Sequence, residues 1–124
     1  MNLNSVLIGS EDPKPLADYY TRVLGKPGGE MGPYTWWAIG NGGITVGPHD
    51  QVKGKNSQPG RLIWNIESAD VRGDFDRLKA AGARVIKEPY DPAAGIEGAP
   101  AGAWIATFAD PDDNYFQLVS PMSL

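Results

Sequence analysis

The sequence predicts an α+β fold in which one strand–helix–strand–strand–strand unit is used twice, and three observations point to it. Two helices start at aspartates, Asp12 and Asp70, which lie 58 positions apart, and stop at glycines, Gly25 and Gly82, which lie 57 apart. Short aliphatic and aromatic runs bounded by Gly, Pro and Asn follow both helices in the same order. Neither half alone would bury its sheet face, so the halves are expected to pair.

Leu3 to Ile8 is a short aliphatic run and reads as a strand. Asp12 then offers an N-cap and Pro13 a pre-set first helical residue. Leu16, Tyr19, Tyr20, Val23 and Leu24 recur at helical spacing, with one tyrosine expected in the core and the other at the surface. Lys26 to Pro33 is dominated by Gly and Pro and reads as a loop. Tyr34 to Ile39 and Ile44 to Val46 read as strands joined across Gly40-Asn41-Gly42-Gly43, a hairpin signal. Residues 49–60 are polar and aperiodic, a linker between a first module at about 3–48 and a second at about 61–120, in one domain spanning 1–124.

In the second module Arg61 to Ile66 reads as a strand. Asp70 caps a helix whose apolar residues are Val71, Phe75, Leu78 and Ala81. Ala83 to Ile86 is a strand and Asp91 to Gly102 a loop. Trp104 to Phe108 and Tyr115 to Val119 form a last hairpin across Asp110-Pro111-Asp112-Asp113-Asn114.

Composition narrows the function classes. Lys+Arg 11 against Asp+Glu 15 gives a net charge of -4, which argues against nucleic acid, whose binders need cations to displace phosphate counterions. No apolar run approaches the roughly 18 residues that span a bilayer, and Met1 to Ser5 lacks the basic start and apolar core of a signal peptide, so a cytoplasmic location is expected. Zero cysteines exclude thiol nucleophiles and thiolate metal sites. One histidine, His49, is fewer than a catalytic zinc, iron or copper usually draws from its chain. No glycine-rich phosphate loop or Gly-x-Ser-x-Gly elbow occurs.

The opening NSVLIGSEDPKPLADYYTRVLG and the closing WIATFADPDDNYFQLVSP resemble the vicinal oxygen chelate superfamily, which includes glyoxalase I, extradiol dioxygenases, fosfomycin-modifying enzymes and bleomycin-resistance proteins. The likeness runs from Leu3 to Pro121, and Asp110 to Leu118 is its more specific part. It implies two βαβββ modules forming a cupped mixed sheet with helices on the convex face, and commonly a homodimer. The family's metal-ligand positions fall here on Ser5, Thr45, Arg61 and Gln117. Such a set is not a divalent-metal site, and a cation beside Arg61 would be repelled. No metal and no cofactor are therefore expected. The glycine usual in the family's Asp-Pro-Asp-Gly turn is Asp113 here.

If Ser5, Arg61 and Gln117 face the cup, strand alternation adds Leu3, Leu7, Ile63, Asn65, Tyr115 and Val119, and sends Val6, Ile8, Leu62, Trp64, Ile66, Phe116 and Leu118 to the core. The candidate ligand-binding set is Ser5, Leu7, Trp37, Arg61, Ile63, Asn65, Trp104, Tyr115 and Gln117. Arg61 would clamp an anionic group bidentately, or would simply begin its strand at the surface. Gln117 and Asn65 would orient a ligand or satisfy each other. Trp36 and Trp37 face opposite sides of one strand; we assign Trp37 to the cup, and Trp104 would stack on a planar ligand, core packing being the alternative for each. His49 beside Asp50 would serve as a base only if the two converged; exposed loop histidine is the plainer reading.

The leading expectation is a metal-independent protein similar to the bleomycin-resistance proteins, binding a small organic ligand as a cytoplasmic homodimer, with no nucleic-acid or membrane partner. The acidic balance would suit a cationic ligand, and Arg61 an anionic one. The alternative is a metal-dependent lyase, isomerase or dioxygenase of the same superfamily, which would need at least two of His49, Glu67, Glu88 and Gln117 to converge. A metal-free enzyme in which Arg61 stabilises an oxyanion is a third.

Overall fold

The computed structural model describes residues 1–98 and 102–121. Residues 99–101 of the expected Asp91–Gly102 loop and residues 122–124 lie outside the described residues. The chain divides into two compact units, Met1–Asn56 and Ser57–Leu124, and the fold is α+β, with the βαβββ order present in both.

In the first unit β1 (Val6–Ser10) leads into α1 (Pro13–Leu24), and β2 (Gly29–Met31), β3 (Tyr34–Ile39) and β4 (Gly42–Pro48) follow. The sheet order is β1-β4-β3-β2, with β1 parallel to β4 and the other pairs antiparallel. In the second unit β5 (Trp64–Glu67), α2 (Val71–Ala80), β6 (Arg84–Tyr90), β7 (Ile105–Ala109) and β8 (Tyr115–Val119) repeat the pattern as β5-β8-β7-β6. Crossing back parallel to the first strand requires a long connection, which the helix and two strands supply.

Each helix covers one face of its own sheet. Leu16, Tyr19, Tyr20 and Val23 of α1 are buried, as are Ile8, Trp37, Ile44 and Val46 of the sheet. Both tyrosines are core, correcting the expected split: adjacent helical residues point only about 100° apart, and a broad apolar stripe takes both. They meet edge to face at 5.1 Å. The second unit is an aromatic stack, with Trp64 on Phe116 at 5.2 Å, Phe116 on Phe108 at 5.5 Å and Phe108 against Phe75 of α2 at 5.4 Å.

Strand β4 runs Gly42–Pro48 against an expected Ile44 to Val46, β6 runs Arg84–Tyr90 against Ala83 to Ile86, and β7 runs Ile105–Ala109 against Trp104 to Phe108; three further differences bear on the site. Strand β1 spans Val6–Ser10, and Leu3 ahead of it is exposed. The stretch read as a loop contains β2, a three-residue edge strand whose single glycine and flanking Gly28 and Gly32 hide its pattern. Arg61 lies outside any strand: Pro59–Arg61 form a 3₁₀ turn, and β5 begins at Trp64. Leu62, expected in the core, is accordingly 73% exposed.

Candidate functional site

Strand alternation gives the first sheet one face under α1 and one face turned away from it. Register places Leu7, Thr45 and Trp36 in one row across that open face, followed by Gly29 of β2. Leu7 is 52% and Trp36 43% exposed, whereas Trp37, one residue on, is 3% exposed. Trp37 packs against Tyr20 and donates its indole N–H to the carbonyl of Gly25 at 2.9 Å. The assignment of Trp37 to the cup is therefore corrected: it is a core residue, and Trp36 holds the open face.

Trp36 lies over two glycines. A Cβ on Gly29 would come within 2.7 Å of the indole Cζ2, and one on Gly28 would collide with Cζ3, so the ring spans both residues. Beside it is a concavity of about 240 Å³ at the hairpin end of the sheet, whose lining includes Asn4, Ser5, Trp36, Ala38, Asn41 and Thr45. Ala38 and Gly43 are registered partners there, and their small size leaves the recess open. Ser5 and Thr45, two of the four family ligand positions, thus come together in the first unit.

The open face of the second sheet is more polar. Asn65, Gln117, Thr107 and Lys87 form one row across β5, β8, β7 and β6. Gln117 donates from Nε2 to the hydroxyl of buried Thr107 at 3.1 Å, not to Asn65. Lys87 lies over the Tyr90 ring at 4.4 Å. Tyr115, paired with Ala109, and Ile63, which precedes β5, are both part-buried.

Two further expected ligand contacts are engaged elsewhere. The Arg61 side chain is exposed in its turn and donates from Nε and Nη2 to Gln58 Oε1. Trp104 has the guanidinium of Arg72, from α2, over its ring at 4.0 Å, so one face of its indole is already covered. Its backbone is fixed by Ser120, through a 2.8 Å bond from Trp104 N–H to Oγ and a 3.0 Å bond from Ser120 N–H to the Trp104 carbonyl.

His49 occupies a second concavity in the first unit, of about 480 Å³, with Glu11, Tyr34 and Lys53. Its Nδ1 accepts from the Gln51 N–H at 3.2 Å and lies 3.4 Å from Asp50 Oδ1. Glu67 and Glu88 are exposed. Among the described residues no group of three or more His, Cys, Asp or Glu side chains is arranged to hold a metal ion. At the family's ligand positions the donors are two hydroxyls, one carboxamide already bonded to Thr107, and a guanidinium with no lone pair to give; this set does not fit a divalent metal.

Residues that carry the open face but escaped the sequence reading are Trp36 with Gly28 and Gly29, Asn4 and Asn41. The adjacent tryptophans did signal that one would face out; the hairpin register, which decides which one, is not legible from spacing alone.

The family model for a glyoxalase-like domain matches residues 5–119. No curated protein matches the sequence. Among solved structures, a glyoxalase-related enzyme from Fulvimarina pelagi is similar with a TM-score of 0.72 at 17% identity, covering 97% of this chain and 88% of that one. A glyoxalase/bleomycin resistance protein/dioxygenase family enzyme from Burkholderia phytofirmans PsJN gives 0.71 at 19% identity, covering 98% of this chain and 100% of the other. A glyoxalase/bleomycin resistance protein from Albidiferax ferrireducens T118 gives 0.72 at 18% identity, with 96% and 98% covered. Likeness at this level of identity is a likeness of fold.

Proposed function

The chain belongs to the glyoxalase-like domain family, within the vicinal oxygen chelate superfamily, and from that premise we propose that it binds a small organic ligand on the open face of its first sheet without a metal at the family's ligand positions. The observation that carries this reading is the recess beside Trp36, where an exposed aromatic ring, small residues and a few polar groups stand together. Apolar and aromatic walls with a handful of oriented hydrogen-bonding groups are the usual make-up of a small-molecule site. Ser5, Leu7 and Thr45 contribute to this face; Asn65, Tyr115 and Gln117 line the corresponding face of the second sheet. A homodimer in the cytoplasm completes the proposal.

The donor chemistry at Ser5, Thr45, Arg61 and Gln117 supports metal independence, since hydroxyls, a carboxamide and a guanidinium give a divalent ion neither charge compensation nor imidazole. Elemental analysis of untagged protein, before and after dialysis against mixed divalent metals, tests this. Substoichiometric metal throughout is the expected result. A tightly held stoichiometric metal would overturn the proposal in favour of metal-dependent lyase, isomerase or dioxygenase chemistry. A sedimentation mass equal to one chain at micromolar concentration would contradict the dimer.

A further inference from the structure

We infer that the ligand of the first-sheet recess is an uncharged, planar aromatic ring bearing hydrogen-bonding substituents, laid against Trp36; this deepens the proposed function and rests on it. None of the side chains lining the recess carries a formal charge. Asn4, Asn41, Ser5 and Thr45 supply neutral donors and acceptors. A carboxylate, phosphate or ammonium entering there would shed water and find no counter-ion among the lining groups, a loss that neutral amides and hydroxyls only partly offset. The opposing hints of the sequence are removed together: Arg61, the anion-binding candidate, sits in an exposed turn on Gln58, and the chain's acidic residues do not line the recess.

The ring is argued from Trp36 and its support. The indole rests over Gly28 and Gly29 and Trp36 remains 43% exposed, so the ring offers surface to stack on, and offset stacking of aromatic rings adds about 0.5–1.5 kcal/mol beyond area burial. Neither glycine is needed by the backbone, because neither is among the residues with positive φ. Their missing side chains serve the indole instead: any Cβ there would lift the ring off the strand. Gly28 and Gly29 are thus positioning residues for Trp36, and Ala38 with Gly43 keeps the space beside it open.

The test uses a matched probe set on ¹⁵N-labelled full chain: benzamide, benzoate, benzylammonium and cyclohexanecarboxamide, read at the Trp36 indole N–H signal, which is assigned with Trp36→Phe. Benzamide is expected to shift that signal saturably, with each of the other three at least about tenfold weaker. Gly29→Ala is expected to displace the Trp36 signal in the free protein and to weaken benzamide by a similar factor. Should that variant fail to fold, Trp36→Ala, followed by ligand-observed NMR, is expected to abolish benzamide binding. A charged probe that equals benzamide at Trp36, or the cyclohexyl amide doing so, overturns the inference and leaves the ligand-binding reading standing. Silence of the Trp36 signal toward all four probes overturns both.

Discussion

Ser10 and Ser68, 58 positions apart, occupy the same place in the two units: each is buried at the end of its unit's first strand, and each accepts the N–H of an aspartate two residues on. Asp12 N–H reaches Ser10 Oγ at 3.1 Å and Asp70 N–H reaches Ser68 Oγ at 3.2 Å. The spacing of the two aspartates is thus a structural repeat as well as a sequence one. Ser68 Oγ also donates to Asp74 Oδ2 of α2 at 2.6 Å.

The two aspartates are nevertheless unequal as helix caps. Asp70 Oδ1 accepts from Gly73 N–H at 3.0 Å, whereas the Asp12 carboxylate makes no cap bond, because Pro13 and Pro15 remove two of the first three amide donors of α1. Asp70→Ala should cost about 1 kcal/mol in urea denaturation and Asp12→Ala only a few tenths. Equal losses would show that Asp12 caps its helix in solution.

Asp113 stands where the related turn has glycine, and its φ of 65° is the left-handed conformation that glycine would adopt freely. Its carboxylate is paired with Arg84 from β6, and both partners are part-exposed. Relief of backbone strain and loss of a surface ion pair are each about 1 kcal/mol and oppose one another, so Asp113→Gly should change stability by less than about 0.5 kcal/mol. Asp113→Ala keeps the strain without the pair and should lose about 1 kcal/mol. Since 1 M salt shortens electrostatic screening to about 3 Å, Asp113→Gly should overtake the parent chain there. Denaturation curves at low and high salt check both signs.

Asp110, 1% exposed, organises the same turn. Its Oδ1 accepts the backbone N–H groups of Asp112 and Asn114 at 2.9 and 3.0 Å, and the Asn114 carboxamide donates to both oxygens. Asp110→Ala would strand these donors inside the protein and should cost about 2–4 kcal/mol. Asp110→Asn keeps one oxygen but turns an amide NH₂ toward that of Asn114, and should cost about half as much. Thermal unfolding of the two variants gives the order, and an alanine variant as stable as the parent would mean that water replaces the carboxylate.

What the sequence made legible follows from how local the signals are. The helices, the Gly25 and Gly82 stops and the last hairpin are written in caps, positive-φ glycines and turn residues, all of which act within a few positions. The candidate site depends instead on which strand lies beside which and in what register. The resemblance puts Arg61 at a ligand position opening the second module's first strand, but Pro59 starts a turn that absorbs it. Trp104 was placed by proximity to a strand, yet a long-range partner, Arg72, covers one face of it. Edge strand β2, three residues flanked by glycines, is too short to announce itself, and Trp36 rests on its Gly29 and the preceding Gly28.

The adjacent tryptophans should therefore separate stability from recognition. Trp37 fills the space under α1 and holds Gly25 through its indole, so Trp37→Phe should cost about 2 kcal/mol and Trp37→Ala about 3–5 kcal/mol, enough to unfold a marginal domain. Trp36 is nearly half exposed and buries mainly the ring face that lies on two glycines, so Trp36→Ala should cost less than about 1 kcal/mol. Equilibrium denaturation of the three variants measures the split directly. If Trp36→Ala proved as damaging as Trp37→Ala, the ring on Gly28 and Gly29 would be a structural brace rather than the aromatic wall of a binding recess.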